Sequence, residues 1–339
     1  MPNQVTLKPS DHIFTAKSGE TILDAALREG FVISYGCRNG ACGTCKGRIL
    51  SGEVDYGNYQ ASALPDADKC QGYALFCQAR PRGDIVIECR EVGASKDIQI
   101  RTLPARVQKM QRLAPDIMLV ELKLPASERL QFLAGQYIDI LLKDGSRRSF
   151  SMANAPHDDA VLQLHMRNYG GPFSTHVFTK MKERDILRFE GPLGTFYLRE
   201  NSEKPAILLA SGTGFAPVKA LVEHAFHVHC ARPLILYWGA RTRADLYLNE
   251  LAERWAHEHN NFTYIPVLSE PLATDQWRGR TGLVHQAVMK DIADMSGCQV
   301  YACGVPVMVE SARRDFTAQC GLPDAEFFSD AFTPAPASL

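Results

Sequence analysis

The spacing Cys37-x4-Cys42-x2-Cys45, followed after 31 further residues by Cys77, constrains the fold of this chain more than any other feature. Three thiols must project from one tight loop, and a fourth must return to them from a separate segment. Within that loop Gly36, Gly40 and Gly43 permit strained backbone and let N–H groups approach sulfur, contacts that tune a reduction potential. The spacing is that of a [2Fe-2S] loop, in which four thiolates hold two irons and two bridging sulfides. Structural zinc also takes four cysteines, but its ligands come as paired Cys-x2-Cys knuckles, and only one such pair occurs here. Cys70 competes for the fourth place. The context Leu75-Phe76-Cys77 favours a buried loop end at Cys77, which leaves Cys70 and Cys89 as ordinary buried thiols.

At 339 residues the chain exceeds what a single core organises, and two or three units are expected, three being the working number. A net charge of −1 with 22% charged residues gives no basic excess for nucleic acid or an anionic membrane. The longest apolar runs, such as Pro205 to Ala210, are far short of a bilayer span. The first residues lack a cationic stretch followed by an apolar core, so a cytoplasmic protein is expected. Ten cysteines in that setting argue for thiols that serve a metal or chemistry.

Residues 1–93 read as short strands (Val5 to Leu7, Ile13 to Thr15, Ile85 to Cys89) with one helix, Ile22 to Arg28, ended by Gly30. Apolar periodicity lapses over residues 94–101, which read as a linker. Residues 102–199 alternate strands and turns with almost no helical signal, as in an antiparallel β-barrel. Residues 203–332 alternate apolar strands (Ala206 to Leu209, Leu234 to Trp238, Phe262 to Val267, Gln299 to Ala302) with helical stretches (Val218 to His229, Leu246 to Glu258, Leu283 to Ile292), the pattern of a doubly wound parallel sheet. Residues 333–339 have little to bury and read as a disordered tail.

The barrel segment carries Arg148-Ser149-Phe150-Ser151 and, farther on, Arg167 with Gly170-Gly171-Pro172-Phe173-Ser174. A flavin dinucleotide needs an aromatic against its ring, a hydrogen-bond partner near its reactive nitrogen, and cations with free N–H groups at its pyrophosphate. Phe150, Ser151, the pair Arg148 and Arg167, and a helix opening near Gly171 and Ser174 meet those needs in turn. In the third segment the strand Ala206 to Ala210 runs into Ser211-Gly212-Thr213-Gly214-Phe215-Ala216-Pro217, a turn that brings a pyrophosphate to a helix N-terminus without the G-x-G-x-x-G pattern. His224, His227, His229 and Cys230 tempt a metal reading, but their offsets do not converge on one helix face.

Residues 1 to 90 resemble the plant-type ferredoxins, which implies cluster ligation by Cys37, Cys42, Cys45 and Cys77. Arg148 to Ser151 resembles the Arg-x-Tyr-Ser motif of the ferredoxin-NADP reductase superfamily, with Phe150 in place of Tyr. Gly212-Thr213-Gly214-Phe215-Ala216-Pro217 and Cys303-Gly304-Val305-Pro306-Val307-Met308 resemble its nicotinamide-binding segments, and Asp330-Ala331-Phe332 resembles its flavin-covering acidic-x-aromatic stretch. The whole layout is similar to that of the iron-sulfur flavoreductases of that superfamily, with phrases such as Ala134 to Asp139 closest to its deoxysugar-pathway members.

That resemblance implies NADH, FAD and a [2Fe-2S] cluster in one electron path, with hydride passing to the flavin and single electrons leaving by the cluster. It implies that Ser151, Cys303, Asp330 and Phe332 shape the hydride pocket and that Arg241, Gly304 and Pro306 join the nucleotide contacts. The partner expected is a protein electron acceptor, a dehydratase or an oxygenase component, served by a monomeric reductase. The other classes are a flavin enzyme acting directly on a small acceptor and a noncatalytic binding module. NADH is expected over NADPH because Tyr237 to Arg241 shows no evident pocket for a 2′-phosphate.

Overall fold

In a computed structural model of the chain, the structure describes residues 2–89, 91, 92 and 98–333. These form two compact units, one reaching to Gln99 and the other spanning Ile100–Phe332.

The first unit runs β1 (Asn3–Lys8), β2 (His12–Ala16), α1 (Ile22–Arg28), β3 (Lys46–Ser51), β4 (Val54–Asp55), α2 (Asp66–Cys70), β5 (Tyr73–Leu75), β6 (Arg80–Pro81) and β7 (Ile85–Glu88). Five strands make one sheet in the order β2-β1-β7-β3-β5, with β1 and β7 parallel and the remaining pairs antiparallel. Helix α1 starts where the Thr21 hydroxyl accepts the Asp24 N–H at 3.1 Å, and it buries Ile22, Leu23, Ala25 and Ala26. Gly30 then turns the chain at φ +83°. The cysteine loop fills the interval between α1 and β3, and Cys77 follows β5. A Cβ on Gly47 would overlap the Phe76 ring, so this ring, beside Cys77, lies directly on the backbone of the strand that leaves Cys45.

The second unit holds two sheets. The first is built from β8 (Arg101–Ala114), β9 (Ile117–Lys123), β10 (Tyr137–Leu141), β11 (Arg147–Ser151), β12 (Leu162–Arg167) and β13 (Ile186–Leu193), with α3 (Pro172–Thr179) between the last two. Its antiparallel order is β11-β10-β13-β8-β9-β12, and a bridge between Met152 and Leu164 joins the two ends into a barrel. Leu162, Leu164 and Met166 point into the barrel core. The intervening Gln163, His165 and Arg167 therefore point out of it.

The second sheet comprises β14 (Ala206–Ser211), β15 (Leu234–Ala240), β16 (Phe262–Leu268), β17 (Arg280–Thr281), β18 (Gln299–Gly304) and β19 (Phe327–Ala331), with helices α4 (Phe215–His227), α5 (Asn249–Glu258), α6 (Val284–Asp291) and α7 (Pro306–Gln319). All its pairings are parallel, in the order β17-β16-β15-β14-β18-β19. The winding reverses between β14 and β18. In open α/β sheets that reversal opens a crevice at the carboxyl ends of the strands.

The α+β unit, the antiparallel barrel and the doubly wound parallel sheet are the architecture expected from the sequence. Several elements differ in detail. Helix α3 runs over Pro172–Thr179 with Gly171 as its N-cap, so the helix expected to open near Gly171 and Ser174 is present and interrupts a segment otherwise made of strands. Helix α4 begins at Phe215, not Val218, because a tight turn over Gly212–Gly214 runs straight into it and Pro217 is tolerated in a first helical turn. Helix α7 and the edge strand β19 were not read from the sequence, since the exposed Val305 and Val307 blur the helical pattern. Of the linker expected at 94–101, residues 94–97 lie outside the described residues, 98–100 carry no regular structure and Arg101 already belongs to β8; the tail expected at 333–339 lies outside them except for Thr333.

Two substitutions test this packing. Gly47→Ala should lower the urea midpoint of the first unit by the equivalent of about 1–3 kcal/mol through overpacking against Phe76. His165 is buried, and burial followed by the Lys219 charge depresses its pKa to about 3. The unfolded chain, with an ordinary His value, binds the proton more tightly, so stability is complete above pH 6.5 and falls as the pH drops toward 3. Urea titrations should show an acid loss of ~3 kcal/mol between pH 7 and 4.5 that is absent from His165→Gln.

Candidate functional site

In the cysteine loop, Arg38, Gly40 and Gly43 take positive φ of 58°, 75° and 73°. A Cβ on Gly40 would come within 2.6 Å of the Asn58 carbonyl oxygen, so only glycine lets the loop lie against that segment. The curled backbone aims N–H groups inward. Those of Asn39 and Ala41 point at Cys37 Sγ and that of Gly40 at Cys77 Sγ, while Cys37 N–H approaches Cys42 Sγ at 3.4 Å.

The thiols interact as two neighbouring pairs, Cys37 with Cys42 and Cys45 with Cys77. In each pair one thiol is lowered by its neighbour, Cys37 to about 7, while its partner is pushed well up by the same interaction and by burial. Charging all four would place mutually repelling thiolates in an enclosed space, so the donor set suits a cationic centre that each pair can share. Among the described residues no three His, Cys, Asp or Glu side chains converge as a single-ion site. Two pairs of thiols with inward N–H groups fit two adjacent irons better than one zinc. Cys70 lies exposed on α2, a correction to its expected burial that follows from the outward face of that short helix. Cys89 is half-buried, and its burial raises the thiol to about 12.

In the second unit the turn after β14 and the turn after β18 meet at the crevice. A Cβ on Gly214 would overlap the Cys303 carbonyl oxygen, and one on Gly304, at φ +141°, would overlap Ser211 Oγ. Ser211 Oγ accepts the Val305 N–H at 3.1 Å, and Trp238 Nε1 donates to the Gly212 carbonyl at 3.1 Å. Thr213 is buried in the turn, and Pro306 opens α7. Cys303 is fully buried, and that burial, with the nearby Asp330, pushes its thiol well up. It is a neutral thiol at the strand end.

Asp330 pairs in register with Cys303 across β18 and β19, and its carboxylate accepts from Ser151 Oγ at 3.1 Å. Phe332 follows, half-buried, with its N–H donating to the Gly304 carbonyl at 2.8 Å. Ser151, Cys303, Asp330 and Phe332 thus come together. Phe150 and Arg148 lie on the opposite face of β11 from Ser151, with the Phe150 ring 5.9 Å from that of Phe173. Gly171 caps α3, and Ser174 Oγ donates back to the Gly171 carbonyl at 3.0 Å. Arg167 pairs with Asp116 at 2.8 Å and Asp245 at 3.3 Å. Arg241 is exposed beyond β15.

Ser211 and Trp238 were missed in the sequence, because their importance comes from backbone partners in neighbouring turns. In the histidine cluster, His224 lies on Glu200 at 2.9 Å and His227 is stacked on His157.

Comparison with known proteins was consistent along the chain. Residues 5–82 match a 2Fe-2S iron-sulfur cluster binding domain, residues 104–197 an oxidoreductase FAD-binding domain, and residues 208–314 an oxidoreductase NAD-binding domain. The CDP-6-deoxy-L-threo-D-glycero-4-hexulose-3-dehydrase reductase of Yersinia pestis is 41% identical over 99% of this chain and 100% of its own. Protein RfbI of Salmonella typhimurium is 36% identical over 98% and 97%. The crystal structure of the Amycolatopsis cytochrome P450 reductase GcoB superposes with a TM-score of 0.79 at 33% identity, covering 98% of this chain and 99% of that one. No described helix is long and apolar enough to cross a membrane. The chain belongs to the family of iron-sulfur flavoprotein reductases that join a [2Fe-2S] ferredoxin domain to FAD-binding and NAD-binding domains.

Proposed function

We propose that this reductase draws electrons from NADH and delivers them to a dehydrase acting on a nucleotide-linked deoxysugar. The observation that carries this choice is the 41% identity, over essentially both full lengths, to a reductase named for a CDP-hexulose dehydrase. A second partner class, an oxygenase component, is favoured by the likeness to the P450 reductase. Direct reduction of a small acceptor leaves the four gathered thiols without a purpose. A monomeric, cytoplasmic protein with domains at 1–93, 102–199 and 203–332 completes the proposal.

Cys37 and Cys42 would hold one iron and Cys45 and Cys77 the other, supported by the pairing of the thiols and the N–H groups aimed at them. Arg148, Phe150, Gly171 and Ser174 would take the flavin, and Gly212, Thr213, Gly214, Gly304, Pro306 and Arg241 the nicotinamide dinucleotide. Arg167 would serve the pyrophosphate only from within its two ion pairs. When bound, the flavin accepts a hydride and releases electrons one at a time to the cluster. Ser151 is held by Asp330 with its hydroxyl proton committed to the carboxylate. The neutral Cys303 and the Phe332 ring exclude water from the same end of the crevice.

Cys42→Ser should lose the cluster yet keep FAD, reducing ferricyanide with NADH within about 2-fold of wild type while cytochrome c reduction falls by more than ~10-fold. Cytochrome c reduction at the wild-type rate by a cluster-free variant would contradict the electron path. NADH should exceed NADPH in kcat/KM. Coupled assays with a purified CDP-hexulose dehydrase and with an oxygenase component would separate the two partner classes.

A further inference from the structure

The outward face of β12 is occupied at three successive positions by side chains bonded to the nucleotide-binding half of the second unit. Lys219 Nζ donates to Gln163 Oε1 at 3.4 Å and to the Ala153 carbonyl at 3.0 Å. His165 Nδ1 lies 3.0 Å from the Tyr247 hydroxyl. Arg167 reaches Asp245 at 3.3 Å. Lys219 is buried in α4 and also pairs with Glu223 at 2.8 Å.

The far partners all serve one place. Lys219 stands one helical turn beyond Phe215, the residue that opens α4. The Tyr247 ring packs edge-on against Phe215 and Trp238, and Trp238 holds the Gly212 carbonyl. A Cβ on Gly212 would lie 2.8 Å from Arg167 Nη1. Alternate residues of a strand repeat every ~6.6 Å, so the three contacts span about 13 Å. A single contact would fix a distance and leave rotation free; three along the strand, with the Ala153 carbonyl as a further point off that line, fix the angle between barrel and helix.

We propose that Gln163, His165 and Arg167, with Lys219, Tyr247 and Asp245, form a polar row that sets the angle of the glycine turn against the flavin barrel, and that they act as positioning residues for the hydride step. The proposal rests on the functional reading above. Hydride transfer depends steeply on the approach of the two rings, and a misplacement of ~1 Å costs about 100-fold in rate. Burial makes the row decisive, because an unpaired polar group there has no water to turn to.

The test uses the full-length protein carrying FAD and cluster, with Lys219→Met, Lys219→Arg and Tyr247→Phe. Rapid-mixing measurement of flavin reduction by NADH should give rate constants about 10- to 100-fold below wild type for Lys219→Met and Tyr247→Phe, with half-saturating NADH moved less than ~3-fold and FAD content unchanged. Lys219→Arg should recover part of the rate. Independently of turnover, the change in flavin absorbance that NAD+ produces should shrink in the same order. Wild-type rate constants in folded, FAD-loaded variants would overturn the proposal, as would a loss confined to NADH affinity. If Lys219→Met does not fold, Tyr247→Phe, which removes a single hydroxyl, decides the matter. Failure of NADH to reduce the wild-type flavin would instead overturn the functional reading beneath it.

Discussion

Backbone contact between two glycine turns at the winding reversal of the parallel sheet is the constraint on which the second unit depends. Strands β14 and β18 lie side by side and lead into helices on opposite faces, so their carboxyl ends diverge over a crevice. The crevice keeps its shape because Gly214 rests on the Cys303 carbonyl and Gly304 on Ser211. Any side chain at either glycine would drive the turns apart. Phe215 and Trp238 stack at 3.9 Å beneath them, which makes the turn a rigid platform.

The edge strand β19 turns that platform into a site shared with the barrel. It sets Asp330 beside Cys303 and within reach of Ser151. Strand β12 provides a second line of contact toward α4. The barrel therefore meets the nucleotide-binding sheet along two strands, and one element, α4, carries both the glycine turn and the buried Lys219.

The first unit solves a different problem, which is to bring like-charged donors together. A loop of left-handed residues exposes N–H groups toward sulfur, so the positive ends of peptide dipoles face the thiols. Phe76 against Gly47 ties the strand before Cys77 to the strand after Cys45. The fourth thiol thus arrives by sheet packing rather than by the loop.

The chain's own residues made the cysteine set, the order of the three segments and the two glycine turns legible, because each is a local requirement of spacing or backbone conformation. The helix at Ile22–Arg28 was readable to its ends for the same reason, with a capping threonine before it and a glycine after it. The burial of Cys70 was misjudged and α7 overlooked, since local pattern says little about which face of a short or mixed helix meets a core. Tertiary structure alone decided the pairing of Ser151 with Asp330, 179 residues apart, and the engagement of Arg167 with Asp116 and Asp245. Such partners are chosen when whole sheets pack, and the burial that gives their bonds force does not exist until they do.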